Sequence, residues 1–107
     1  MTNIEKMNLL EYRDLTDFPP IRYLQINNCG MKNYFQRDYT IFRPHGRKDY
    51  YLVYAALGWF DIEYNGEMVR VDRGTCVMFM PDVPQLIQFS AEGAPTIFYV
   101  HFTGKAY

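Results

Sequence analysis

Trp59-Phe-Asp-Ile-Glu-Tyr64, Asn65-Gly66 and Glu67-Met-Val-Arg-Val-Asp72 read together as two strands joined by a tight turn. Phe60, Ile62 and Tyr64 fall on one side of the first strand, with Trp59, Asp61 and Glu63 on the other. Asn-Gly is the preferred pair for a type I′ turn, because both central residues must take positive φ. With a two-residue loop the ladder pairs Ile62 with Val69, Phe60 with Val71 and Asp61 with Arg70. Apolar then meets apolar on one face and opposite charges meet on the other. The register of this hairpin is well specified.

Reading outward, Tyr50-Tyr-Leu-Val-Tyr-Ala-Ala-Leu57 is an apolar, aromatic strand that Gly58 breaks. Downstream, Thr75 to Met80 is a further strand, Pro81-Asp-Val-Pro84 a corner, Gln85 to Ser90 a strand, and Ala91 to Pro95 a turn. Thr96 to Phe102 is the last strand. Upstream, Ile21 to Asn27 reads as a strand, Asn28-Cys29-Gly30 as a turn, Tyr34 to Phe42 as a second strand, and Arg43-Pro-His-Gly46 as a loop. Residues 2 to 15 carry Ile4, Met7, Leu10 and Leu15 at roughly helical spacing, with Thr2 or Asn3 as cap. This predicts a short N-terminal helix or a tethered arm, which Phe18-Pro19-Pro20 separates from the rest.

A chain of 107 residues suits one domain. Hydrophobic residues make up 49% and aromatic residues 18%, with ten Tyr and eight Phe, which favours pleated, half-buried surfaces. Short strands with glycine and proline at the corners point to an all-β sandwich or barrel rather than to parallel α/β units. The single domain spans 1–107, with residues 1–20 as arm or helix and 21–104 as the β-barrel.

The net charge of −1 leaves no basic footprint for nucleic acid; Arg43, Arg47 and Lys48 cluster, but Asp38 and Asp49 flank them. Cys29 and Cys76 fit no metal or redox spacing. No apolar run approaches the ~20 residues that span a bilayer. Glu5 and Glu11 interrupt any leader-like N-terminus, so a cytoplasmic location is the expectation.

Catalytic chemistry finds little support. His45 and His101 are the only histidines. A catalytic metal in a small barrel needs about three converging ligands, and the strand where a His-x-His pair would serve offers Tyr50, Leu52, Tyr54 and Ala56. No metal, no cofactor and no enzyme activity are expected. Asp61 and Glu63 read as a solvated face paired with Arg70. Binding fares better: Tyr50, Tyr51, Tyr54, Tyr64 and Tyr99 have apolar rings with polar tips, which suit a pocket for a small, partly polar ligand. Arg43 could act as a pocket-mouth donor to a hydroxyl or carboxylate.

Arg43-Pro-His-Gly-Arg-Lys-Asp-Tyr50, Leu57-Gly58, Asn65-Gly66, Gly74, Met80-Pro-Asp-Val-Pro-Gln85 and Tyr99-Val-His-Phe-Thr-Gly104 resemble, in order and spacing, the N-terminal ligand-binding domain of AraC-type transcription regulators. The resemblance covers residues 40 to 104. It implies a cupin-like double-stranded β-helix, or jelly roll, that binds a small-molecule effector, with sugars among the candidates, and that forms a homodimer. Family members continue into helix-turn-helix motifs that bind DNA, which residues 1–107 do not include. Carried over by position, the family's loop arginine falls on Arg43 and its sugar-packing aromatic on Tyr99, with Ile97 and Ile87 at two further contact positions. Asp82 stands where the family often has glycine, and Gln85 where it often has histidine, which removes a metal ligand. Alternation puts Tyr50 and Tyr54 on one face and Ile97, Tyr99 and His101 on one face, so Tyr50 or Tyr54 is expected beside Arg43 and Tyr99. The rival readings are a stand-alone cupin enzyme of the sugar isomerase or epimerase type and a carbohydrate-binding module.

Overall fold

A computed structural model describes residues 4–8 and 21–106. Among the described residues nine strands run β1 (Ile4–Asn8), β2 (Ile21–Asn33), β3 (Tyr39–Arg43), β4 (Tyr50–Leu57), β5 (Trp59–Tyr64), β6 (Glu67–Asp72), β7 (Thr75–Phe79), β8 (Gln85–Phe89) and β9 (Thr96–Ala106). They form a five-stranded sheet in the order β1-β7-β4-β9-β2 and a four-stranded sheet in the order β3-β8-β5-β6. All pairings described are antiparallel. Among the described residues no helix is long and apolar enough to cross a membrane.

The β5–β6 hairpin has the register that the sequence predicts: Ile62 opposite Val69, Phe60 opposite Val71, Asp61 opposite Arg70. Asn65 and Gly66 take φ of 53° and 81°, the two positive values a type I′ turn needs. Phe60, Ile62 and Val71 are fully buried, and they meet Val53, Val77, Phe79, Ile87, Phe89 and Ile97 in one core between the sheets. In an antiparallel pair, residues directly opposite share a face. Each row across a sheet can therefore be followed from strand to strand.

Three expectations need correction. The helical spacing of Ile4 and Met7 does not give a helix over 4–8. Those residues form β1, which adds to the edge of β7; an isolated turn of helix is costly to nucleate, whereas a sheet edge supplies ready partners. Residues 9–15 of that expectation lie outside the described residues, as do 18–20. Asn28-Cys29-Gly30 is not a turn, because β2 runs on to Asn33 through a bulge between Ile26 and Asn28. The long ladder with β9 overrides the local turn composition, and Gly30 is needed there for closeness. A Cβ at Gly30 would come within 2.8 Å of the Tyr99 hydroxyl. The chain reverses instead over residues 34–38, so β3 begins only at Tyr39.

The outer faces of the two sheets differ. Across the four-stranded sheet one row reads Thr40, Gln88, Asp61, Arg70, the polar exterior expected of a one-sided sheet. Across the five-stranded sheet the rows read Met31, Phe98, Tyr54, Cys76, then Cys29, Val100, Leu52, Met78, then Ile26, Phe102, Tyr50. Over β2, β9, β4 and β7 these rows carry no charged residue, and on β1 Glu5 lies opposite Met78.

Candidate functional site

Arg43 is the last residue of β3 and lies opposite Gln85, the first of β8. Ile41 and Ile87 pair two residues earlier on the same, inward face, so alternation turns Arg43 into the sandwich. Its Nη1 donates to Gln85 Oε1 at 2.7 Å. The guanidinium also lies 5.5 Å from the centre of the Tyr51 ring, within cation–π range. Tyr51 stacks on His101 with centroids 4.3 Å apart and meets Tyr99 edge-on at 6.4 Å. Lys32 lies over the other aromatic of this group, 5.6 Å from the Tyr99 centroid. Residues from β3, β4, β8 and β9 thus converge on one interior patch, with the exposed Lys32 of β2 at its rim.

Below the patch, Arg47 donates from Nε and Nη2 to the two oxygens of Asp49, at 2.6 and 3.1 Å. Asn27 Nδ2 adds a bond to Asp49 at 3.0 Å and one to Thr103 at 2.9 Å. The Arg47 bonds hold the Asp49 carboxyl below its ordinary range against the opposing effect of burial, and Asn27 assists. His101 is pushed down to about 4, first by burial and then by the positive charges of Arg47, Arg43 and Lys32, with Asp49 opposing. It is therefore a neutral imidazole at pH 7. Burial raises Tyr51, and Arg43 partly counters that; the phenol stays protonated.

Two buried polar atoms in this patch have no hydrogen-bond partner among the described residues: Gln85 Nε2 and His101 Nδ1. Gln85 is 1% exposed and His101 6%. Unpaired buried polar atoms are uncommon because each costs roughly 1–3 kcal/mol. Beside the patch, a hollow of about 420 Å³ is walled by Lys32 to Arg37 and Tyr39. Tyr34 joins hollow to core: its ring stacks on Phe89 at 4.4 Å and on Tyr39 at 5.7 Å.

Of the residues singled out in the sequence, Arg43 and Tyr99 both face this interior and both touch Tyr51. Ile87 and Ile97 face the same way but are sealed in the core, at 0% and 1% exposure. Tyr50 and Tyr54 are not beside Arg43. They stand on the outer face of the five-stranded sheet, stacked on Phe102 and Phe98. The strand's parity decides this: Tyr51, Val53 and Ala55 point inward, so the neighbour of Arg43 is Tyr51. Tyr51 is one of the five tyrosines that the sequence offers for a pocket, though nothing in the sequence sets it beside Arg43; His101, Tyr34 and Lys32 are not among those candidates. For His101 the signal was present, since it shares the Tyr99 face at period 2.

His45 lies exposed in the β3–β4 loop, and among the described residues no three His, Cys, Asp or Glu side chains converge as metal ligands. Asp61 pairs with Arg70 on the outer face, Nε to Oδ1 3.5 Å, away from the patch.

No protein-family model matches the sequence, and no curated protein matches it. Solved structures do. The Clostridium difficile EutQ protein aligns with a TM-score of 0.52 at 20% identity, over 94% of this chain and 68% of its own. A putative ethanolamine utilization protein Q from Salmonella typhimurium gives 0.51 at 15% identity, over 77% of this chain and 69% of that one. The chain has a cupin-like jelly-roll fold. A third neighbour, a DUF861-family protein of unknown function from Pseudomonas syringae pv. tomato, gives 0.52 at 21% identity, over 78% of the cupin-like chain and 42% of its own. At such identities the likeness speaks for the fold alone.

Proposed function

We propose that this cupin-like domain is a cytoplasmic small-molecule sensor, the effector-binding part of a regulator of the AraC type, working without catalysis or resident metal. One observation carries the reading. Arg43 is anchored to Gln85 in an aromatic interior, next to two buried polar atoms that the described protein leaves unpaired. Such a group of donors and ring faces suits a small molecule with a hydroxylated or carboxylated end and an apolar face. Arg43 would take the acceptor of the ligand, Gln85 Nε2 would donate to it, and Tyr51 and Tyr99 would pack on its body. The adjoining hollow is of monosaccharide size, and Lys32 and Arg37 favour sugar acids over neutral sugars. Occupancy would shift the balance between two positions of a neighbouring segment, and a DNA-binding domain outside residues 1–107 would read that shift.

The rival, a stand-alone cupin enzyme, has His101 as its most plausible base. With its pKa pushed down to about 4, that imidazole is a weak base at neutral pH, which favours the sensor.

The test is thermal unfolding against a panel of monosaccharides, uronic acids and aldonic acids. A saturable rise in Tm with one class is expected, absent in Arg43→Met, with the ligand recovered unchanged by NMR. Turnover of the ligand would support the enzyme. Equal stabilisation of Arg43→Met would move the site elsewhere.

A further inference from the structure

We propose that the interior patch binds a carboxylate together with one proton, which His101 takes up from the medium as Arg43 and Gln85 receive the anion. This rests on the reading of the patch as the ligand site, and it assigns the ligand's charge and a pH dependence to that site. Charge is the first ground. Arg43 enters the sandwich with a hydrogen bond to the neutral Gln85 and a ring contact to Tyr51. Among the described residues no carboxylate pairs with it. Asp49, the carboxylate whose charge reaches His101, is already committed: Arg47 holds both its oxygens and Asn27 donates to it as well. A partly buried cation without a counter-ion is costly, and a ligand anion supplies one.

Hydrogen bonding is the second ground. Gln85 Nε2 and His101 Nδ1 are both buried without a partner among the described residues. A carboxylate offers about four lone-pair sites on its two oxygens, enough to accept from Arg43, from the Gln85 amide and from a His101 Nδ1–H. The imidazole is reached by Arg43 from β3, Arg47 and Asp49 from the β3–β4 loop, Lys32 from β2, Tyr51 from β4 and Tyr99 from its own strand. β8 adds only the uncharged Gln85 to the patch. In the free site, burial and three cations against one carboxylate hold the ring neutral, with a pKa of about 4. A second carboxylate in contact tips that balance, since an opposite charge within ~4–6 Å moves such a pKa by about 1–3 toward the charged form. Each tenfold gain in proton affinity returns as a tenfold gain in affinity for the anion, because linkage is reciprocal. A hydroxyl could serve the same atoms only by donating to a bare Nδ1, which keeps the ring neutral and reverses the sign.

Propionate and propionamide test this without any mutation, having the same shape with and without the charge. The ring resonances of His101 are followed by NMR across the acid range at matched ionic strength. His45, the other histidine and exposed in its loop, is the internal reference. Saturating propionate should raise the His101 midpoint by about 1 pH unit or more and leave His45 where it is. Propionamide should move neither. Affinity for the propionate anion should rise as pH falls from 7 to 5, and His101→Phe should lose that dependence. In Arg43→Met the His101 midpoint should no longer respond. A midpoint that propionate leaves unmoved or lowers overturns the proposal, as does an equal response to propionamide or in Arg43→Met. A sugar acid that stabilises the parent chain but not Arg43→Met, with the His101 midpoint unmoved, would remove the proton and leave the sensor reading standing.

Discussion

Arg43 and Gln85 face each other across the β3–β8 ladder, and the 2.7 Å bond from Arg43 Nη1 fixes which end of the Gln85 amide carries the oxygen. The nitrogen end is therefore committed to the interior. The two partners differ in what their removal leaves behind. Gln85→Met strips the acceptor from a guanidinium that is only partly buried, so water can serve it, and it also removes the unpaired amide nitrogen. Arg43→Met leaves a whole amide buried and unpaired. We expect Arg43→Met to cost about 2–3 kcal/mol and Gln85→Met about 1 kcal/mol or less, read from urea midpoints. The reverse order would show that the amide is satisfied by something else.

Gly58 joins β4 to β5 at φ +67°, and a Cβ there would land on the backbone carbonyls of Gly93 and Ala94. The same close approach lets Trp59 N–H donate to Gly93 O at 3.2 Å. Gly66, at φ +81°, has nothing within 4 Å of the corresponding position. Gly66→Ala should therefore show only the left-handed backbone penalty of roughly 1–2 kcal/mol. Gly58→Ala should cost clearly more, or prevent folding. Equal effects would mean that the β8–β9 loop can move away.

The hairpin was legible because Asn65-Gly66 pins one register and a one-residue slip would bury Asp61 and Glu63. The side of β4 that faces the site was not, since Tyr50, Tyr51 and Tyr54 put the same chemistry on both faces. Alternation gives parity but not which parity is inside. β4 is a central strand between β7 and β9, and the outer face of its sheet is as apolar as the core. The course of β2 was hidden for another reason. Asn27-Asn-Cys-Gly30 has turn composition, yet its backbone groups find partners along β9, and only the tertiary pairing reveals that. Arg43, Tyr51 and Tyr99 are each legible as binding residues from their chemistry, and the family pattern adds weight to Arg43 and Tyr99; that Tyr51 links the two is visible only in the coordinates.

Trp59 is the only tryptophan, and the Arg70 guanidinium lies 3.5 Å from its ring centre. Arg70 is also the partner of Asp61 at 3.5 Å, half-exposed on the outer face of the four-stranded sheet. Exposed pairs of this kind contribute about 0–1 kcal/mol, and a cation over tryptophan adds about 0.5–1 kcal/mol. Asp61→Asn should leave stability nearly unchanged and leave tryptophan emission where it is. Arg70→Ala should lower stability by about 1 kcal/mol and shift the emission. An emission shift in Asp61→Asn alone would assign the contact to the carboxylate.

The stability of the domain should fall on mild acidification, and His101 sets the window. In the folded chain Arg47, Arg43 and Lys32 surround the ring together with Asp49, Tyr51 and Tyr99, and burial dominates, so its pKa is about 4 against 6.5 in the unfolded chain. Between those values the unfolded state binds a proton that the native state refuses. Stability is thus full above about pH 6.5 and declines as pH falls toward about 4, by up to about 1.4 kcal/mol per pH unit. Asp49 acts in a separate range. Its folded pKa is depressed below 3.8, so its contribution is complete above that value and is lost only as pH falls further. Urea midpoints should therefore drop between pH 7 and pH 4.5 in the parent chain. In His101→Phe, which keeps an aromatic ring on Tyr51, the midpoint should stay nearly flat over that range and fall only below about pH 4. A parent chain with a flat profile from pH 7 to 4.5 would mean that the folded ring takes up its proton over the same pH range as the unfolded chain, so that burial and the neighbouring cations do not depress it.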